Sequence, residues 1–375
     1  MNTELQELLL EKDEPPGNSL DWNDWRWQLR NAATSIEELE KILPNQEVEK
    51  EKLAKVVGRY PFGITPYYLS LIDRYNPQDP IRLQCIPSPE EEKLYFEVED
   101  DPLGEEEDSV MPGLVHRYPD RVLLTLTNMC PVYCRHCTRK REWAQGKWVR
   151  RPQELERIYE YISSHKEIRD VILSGGDPLF FSTGKLECIL VALRRISHVE
   201  IIRIGTRCPV VLPQRITEEL TVCLKKYRPI WLNTHFNHPN EITKESSEAC
   251  DKLLCAGIPV NNQSVLLKGI NDDVATMTRL CQGLVKIGVR PYYLFQCDPV
   301  SGTAHLRTSI DKGLEIIKGM RGYTSGLCVP TFVVDGPKGQ GKVPLQPDYI
   351  EEKEKDYVSF RGYKGDVFRY YNPAG

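Results

Sequence analysis

The stretch Arg121-Val122-Leu123-Leu124-Thr125-Leu126-Thr127, followed two residues later by Cys130-Pro131-Val132-Tyr133-Cys134-Arg135-His136-Cys137, decides how the chain is read. The first part is a short apolar run of the kind that forms a strand. The second places three cysteines within eight residues on a tight loop leaving that strand, where their sulfurs can turn toward a common point. Three thiolates satisfy three irons of a four-iron cluster and leave the fourth iron bare, whereas an ordinary electron-transfer cluster takes four cysteines. An unfilled position is what catalytic metal sites keep. A zinc knuckle with His136 as fourth ligand is the alternative, but zinc sites favour paired short spacings from two places, and no second pair lies nearby.

Around this stretch lies a chain of 375 residues, room for roughly two to three domains. Its 40% apolar and 27% charged residues are those of a soluble globular protein. No run approaches the ~20 apolar residues of a membrane span, and Met1-Asn2-Thr3-Glu4 lacks the basic-then-apolar pattern of a secretory signal. A net charge of −5 does not favour nucleic acid. Of the twelve cysteines, Cys188, Cys223, Cys250 and Cys281 are scattered singly through apolar or helical segments. They read as reduced core residues of a cytoplasmic protein.

Residues 1–105 read as helical, with a possible Asp N-cap before Trp22-Asn23-Asp24-Trp25-Arg26-Trp27, a capping box at Ser35 and Glu38, and a helix start at Thr65-Pro66. The tryptophans read as core or subunit contact rather than a binding platform. Glu97 to Asp108 holds eight acids and no base, which predicts a solvated linker. From Arg121 the pattern becomes β/α alternation. Strands are expected at 121–127, 170–174, 199–205, 230–236, 259–266, 290–296 and 329–335, with helices at about 152–164, 184–196, 216–226, 244–256, 273–287 and 310–320. A repeat of this kind belongs to a parallel sheet, either a barrel or a doubly wound open sheet. In both, reactive groups lie at the carboxyl ends of the strands, where the cysteines are.

Other strand ends carry chemistry too. Gly175-Gly176-Asp177 after the second strand lets the backbone approach a ligand and adds an acceptor, although a plain turn would look the same. Asp298 and Asp335 each end a strand, and two carboxylates there could bind a metal, act as acid and base, or hold a cation. Gly336-x4-Gly341-Lys342 mimics a phosphate loop, but Val343 replaces the needed Ser or Thr and Pro344 stops a following helix. A lysine on a glycine-rich loop after a strand suits a Schiff base with an aldehyde cofactor instead. Lys342 and Lys338 are the candidate lysines.

The C-x3-C-x2-C spacing resembles the radical S-adenosylmethionine enzymes, and the string Cys134-Arg135-His136-Cys137-Thr138-Arg139-Lys140-Arg141 resembles their lysine 2,3-aminomutase branch. This implies an α/β fold with a partial (βα)6 barrel at 109–340, after an N-terminal helical region at 1–105 with its acidic linker near 97–108 and before a C-terminal end at 341–375. It also implies a 4Fe-4S cluster on Cys130, Cys134 and Cys137, S-adenosylmethionine, and pyridoxal phosphate on Lys342. By the same resemblance Gly175, Gly176, Asp177, Arg207, His235 and Gln263 contact S-adenosylmethionine. Arg117 and Arg121 take the pyridoxal phosphate, and Arg139 pairs with the substrate carboxylate. Lys140 and Arg141 are expected to be a solvated basic face.

In the lysine enzymes both aspartate positions grip the distal ammonium of the substrate. Asp298 and Asp335 therefore imply an isomerase moving the α-amino group of L-lysine to give β-lysine, with arginine possible. A lysine mutase for elongation factor P and a non-catalytic iron-sulfur sensor are the other readings. The expected partners are an amino acid substrate, a reductant such as flavodoxin or ferredoxin, and further copies of the chain in a homo-oligomer. Long members of the family bind zinc through a cysteine-rich tail. No cysteine follows Cys328 and Asp273 stands at the partnering position, so no zinc is expected.

Overall fold

The computed structural model describes residues 21–43, 50–93 and 98–373. Ten strands form one sheet: β1 (Ser109–Met111), β2 (Leu114–Tyr118), β3 (Arg121–Thr125), β4 (Asp170–Ser174), β5 (Ile201–Gly205), β6 (Ile230–Thr234), β7 (Val260–Leu266), β8 (Arg290–Gln296), β9 (Thr331–Gly336) and β10 (Gly341–Leu345). They lie side by side in chain order. From β3 to β9 every pairing is parallel. The β1–β2 hairpin lies antiparallel along one edge and β10 along the other. Six strand–helix units and a seventh parallel strand, with edges that do not pair among the described residues, make the partial barrel that the family resemblance implies. Three further strands, β11 (Ile350–Lys353), β12 (Tyr357–Arg361) and β13 (Val367–Tyr371), form a separate antiparallel sheet.

The outer helices are Pro152–Ser164, Thr183–Arg194, Glu218–Lys226, Lys244–Cys255, Val274–Lys286 and Ile310–Met320. Five start on a side chain that accepts a backbone N–H of the first turn: Ser182, Thr217, Thr243, Asp273 and Ser309. Each such cap contributes about 1 kcal/mol. Asp273 thus has a local task at the start of its helix.

Alternation along the strands separates two faces. Val171, Leu173, Ile202 and Ile204 are fully buried under the helices, at about 1.5–3 kcal/mol each. Their neighbours Ile172 and Arg203, in register with each other and with Trp231, are only half-covered or exposed, and so are Gln263, Tyr293 and Phe295 further round the sheet. Parallel barrels ordinarily fill their interior with packed side chains. Here the inner face stays partly accessible.

The N-terminal helices Trp25–Arg30, Ile36–Ile42, Lys50–Arg59, Pro66–Ser70 and Pro80–Cys85 pack on this barrel. The Ser35–Glu38 capping box and the Thr65-Pro66 start both form. Asp24 rather than Asp21 caps the first helix. Trp25 is buried, with the Arg215 guanidinium 4.8 Å from its ring centroid. Tyr68 donates to Glu241 Oε1 at 2.7 Å and ties the Pro66–Ser70 helix to the loop after β6. Among the described residues, no helix is long and apolar enough to cross a membrane.

Two expectations are overturned. The described part of the acidic run is not a solvated linker: Glu99 bridges to Val300, Glu105 is buried, and Asp101, Glu105 and Asp108 are ion-paired. Nor do Lys140 and Arg141 form a solvated basic face. Lys140 is fully buried on Glu91, and Arg141 pairs with Asp101, Glu105 and Glu106. Glu105 and Asp101 meet the 139–141 cations and Lys140 meets Glu91, so these buried charges each have a counter-charge and can leave water.

Candidate active site

The loop bearing Cys130, Cys134 and Cys137 leaves the carboxyl end of β3 and is held on three sides. From β4, the Gly176 and Asp177 amides donate to the Thr127 and Met129 carbonyls. A Cβ on Gly175 or Gly176 would strike the backbone of Thr127 or Met129, so these glycines serve close backbone packing against the loop. From the N-terminal helices, the Tyr133 and Arg135 amides donate to Gly63 O at 3.2 Å and Gln84 O at 2.8 Å.

Below the loop, Glu91 binds both Arg135 Nη2 at 2.6 Å and Lys140 Nζ at 2.7 Å, all three side chains being essentially inaccessible. Burial would raise the Glu91 carboxyl, but the two cations outweigh it and hold it below its ordinary range. Burial pushes the Lys140 ammonium down to about 8, with Glu91 opposing.

The three sulfurs gather in one place. Burial first, and then Asp177 and the other two cysteines, push the Cys130 thiol up; burial and Cys134 push Cys137 up to about 11. Arg207 Nη1 donates to Cys134 Sγ at 2.7 Å, and the Arg139 amide to Cys137 Sγ at 3.4 Å. Three neighbouring sulfurs, with a cationic donor on Cys134 and an N–H donor on Cys137, are a donor set fitted to a metal cluster that takes them as thiolates. Among the described residues, no three His, Cys, Asp or Glu side chains close on a single ion. A four-iron cluster instead takes each thiolate on a different iron.

Several residues expected to touch S-adenosylmethionine are committed within the chain. Asp177 accepts from Thr206 Oγ1 and Leu179 N on one oxygen and from Arg207 N on the other, at 2.7–2.9 Å, so it locks the ends of β4 and β5 together. Arg207 spends its fork on Cys134, Tyr68, Gln84 and Glu241, with Nε on His235 O. One of its donors thus lies on a cluster-loop sulfur. His235 Nε2 lies 3.1 Å from His136 Nε2, with the rings stacked at 5.2 Å, and Asn237 Nδ2 donates to it at 3.0 Å. Burial and Arg207 push His235 down to about 3, so it is a neutral imidazole. Gln263 is half-buried on β7 opposite Tyr293.

A second cluster lies where β8 to β10 meet. Lys342 on β10 is in register with Asp335 on β9, and its Nζ donates to Asp335 Oδ1 at 2.6 Å, over the Phe295 ring at 4.8 Å. Asp298, just beyond β8, is pushed up to about 7 by burial and by Asp335 and Glu105, against Lys342 and Arg307. Lys338 instead caps the β9–β10 turn in a left-handed conformation (φ 52°), its amide on Pro102 O at 3.0 Å. Arg117 Nε binds Asp108 Oδ2 at 2.5 Å and lies beside Gly339 of that turn. Arg121 pairs with Asp120 at 2.8 Å and stacks on Tyr118, whose hydroxyl is next to Gly341. Arg139 joins the two clusters: its amide touches Cys137, and its fork grips Glu105, which in turn raises Asp298.

Sequence reading missed Gln84, Glu91, Glu105, Asn237 and Glu241. The only available signal was the opposite charge of the acidic run and the 139–141 cations.

The three-sulfur loop on a partial parallel barrel defines a class, and the Radical SAM superfamily model matches residues 124–281. A model described as lysine-2,3-aminomutase matches residues 317–375. The chain is 54% identical over 353 residues to L-lysine 2,3-aminomutase of Clostridium subterminale, covering 94% of this chain and 85% of that one. It is 51% identical over 370 residues to the enzyme of that name in Bacillus subtilis (strain 168), covering 98% and 78%. Glutamate 2,3-aminomutase of Clostridioides difficile (strain 630) is 48% identical over 354 residues, covering 94% and 83%. The chain belongs to the lysine 2,3-aminomutase family.

Proposed function

We propose that this protein interconverts L-lysine and β-lysine by moving the α-amino group to C3. One observation carries the choice of substrate: the ammonium of Lys342 already sits on Asp335, with Asp298 beside it. A primary alkylammonium is what Asp335 holds, and the Lys342 amine stands in for the distal ammonium of a diamino acid. An acidic side chain would meet two carboxylates there, which argues against glutamate.

Cys130, Cys134 and Cys137 would hold the cluster, Lys342 the pyridoxal, and Arg117 and Arg121 its phosphate. When bound, the cluster with S-adenosylmethionine supplies a hydrogen-abstracting carbon radical, and pyridoxal phosphate carries the migrating nitrogen. The chain's own work is orientation. Arg139 takes the substrate carboxylate, Asp298 and Asp335 fix the far end, and Gln263, with the backbone at Gly175 and Gly176, borders the space between. A second ammonium entering here would share Asp335 with Lys342, and Asp298 supplies the further carboxylate. The half-covered inner face of β4 to β8 offers the room, and Phe295 and Tyr293 keep part of its lining apolar. A small acidic electron carrier such as flavodoxin or ferredoxin would supply the electron, in a cytoplasmic homo-oligomer.

The test is amino-acid profiling of the purified, cluster-reconstituted protein with lysine, arginine and glutamate. β-Lysine as the main product is expected. β-Arginine or β-glutamate in its place overturns the substrate, and no turnover of any amino acid overturns the activity.

A further inference from the structure

We infer that Glu105 is a positioning residue: it grips one edge of the Arg139 guanidinium and turns the opposite edge toward the lumen to receive the substrate α-carboxylate. This rests on the assignment of Arg139 made above and goes beyond it by naming what aims the arginine.

The donor accounting points this way. Arg139 Nε donates to Glu105 Oε2 at 2.9 Å and Nη2 to Glu105 Oε1 at 2.5 Å, a bidentate grip on one edge of the fork. The other edge is nearly free. Nη1 reaches only Ser174 Oγ at 3.3 Å and Gly175 O at 3.4 Å, both long for hydrogen bonds. A guanidinium has five N–H donors, so the Nη1/Nη2 edge keeps the geometry for a second carboxylate. Glu105 also accepts from Arg141 Nη2 at 3.2 Å, so its charge is shared and does not cancel that of Arg139 alone.

The backbone that carries Glu105 is itself fixed to the site. Glu99 exchanges hydrogen bonds with Pro299 O at 2.9 Å and the Ser301 amide at 3.0 Å, directly after Asp298. Pro102 O accepts from the Lys338 amide at 3.0 Å, and Leu103 O accepts from Arg117. Gly104 adopts φ +63°, where a Cβ would crowd Lys338 at 3.1 Å. Residues 99–105 thus form a strap from the loop after β8, across the lysine hairpin, to Arg139. It sets the carboxylate-binding and ammonium-binding ends of the lumen at one spacing.

The test compares wild type with Glu105→Gln, Glu105→Asp and Arg139→Lys in the reconstituted enzyme. The measurements are KM and kcat for L-lysine, the inhibition constant of L-lysine amide (which keeps both amines and lacks the carboxylate), and iron content. Glu105→Gln is expected to raise the lysine KM about tenfold or more, with kcat within a few-fold and with the amide constant and iron content unchanged. Glu105→Asp, too short to span the fork, gives a smaller rise in the same direction and covers the case in which the glutamine variant fails to fold. An unchanged lysine KM in both Glu105 variants overturns the inference, as does a parallel rise for lysine and its amide with loss of iron, which marks a purely structural role. If Arg139→Lys leaves the lysine KM unchanged, the arginine assignment itself fails, and the inference with it. If Arg139→Lys raises KM and neither Glu105 variant does, the inference alone fails.

Discussion

Asp298 is a carboxyl that burial and two neighbouring carboxylates keep protonated up to about pH 7. Below that pH it is neutral and grips an ammonium weakly, and above it the full charge is available. We therefore expect kcat/KM for lysine to rise as pH increases through about 7 and to fall by up to tenfold per unit below it, since this ratio reports groups of the free enzyme. Asp298→Asn should abolish that limb and lower kcat/KM throughout. A pH profile with no inflection between 6 and 8 in wild type would contradict it. The stability linkage runs the other way. A folded-state value above the unfolded carboxyl's ~3.9 means that ionisation works against folding, so this residue's contribution declines between about pH 4 and 7. The protein tolerates a destabilising acid at the place where a substrate cation would need it.

At the scale of elements, the cysteine loop depends on a pair of cations that it carries itself. Arg135 and Lys140 are sequestered with Glu91, which comes from another segment. Removing that one anion strands two buried charges, a change that costs about 3–5 kcal/mol. Glu91→Gln should therefore lower iron per chain by more than about half after reconstitution and shift the urea midpoint down. Full iron retention at wild-type stability would refute the dependence.

This triad also marks the limit of what the chain betrays before folding. Strand alternation, the Ser35–Glu38 box and the cysteine spacing are local, and a local pattern survives in one dimension. Glu91 meets Arg135 across 44 positions and Glu105 meets Arg139 across 34. Each of these acids sits among other acids in the chain, so a run that looked hydrated became an internal counter-charge. The partners of Asp177 were hidden in the same way: its strand-end position was legible, but the Thr206 hydroxyl and the Leu179 and Arg207 amides that its oxygens accept from were not.

Across the whole molecule, the two faces of the sheet have opposite destinies. The helix-covered face supplies the apolar core, from Val122 and Val171 to Phe332. The inward row through Ile172, Arg203 and Trp231 is left half-wrapped or exposed. Anything bound there only in the folded state adds RT ln(1 + [L]/Kd) to stability, about 2.7 kcal/mol at a hundredfold excess over Kd. We expect pyridoxal phosphate to raise the melting temperature of the wild-type chain by several degrees and to give it an absorbance band of the bound aldehyde. Lys342→Ala should lose both the band and most of the shift while keeping its iron. An unaltered band in the variant would move the attachment to another lysine.

The partly accessible inward face has a consequence for the life of the protein in a cell. Small molecules that settle on it only in the folded chain hold the balance against unfolding. We expect limited digestion to cut the chain more slowly with pyridoxal phosphate present than with it withheld, and equal rates would sever the protein's persistence from the supply of that nutrient.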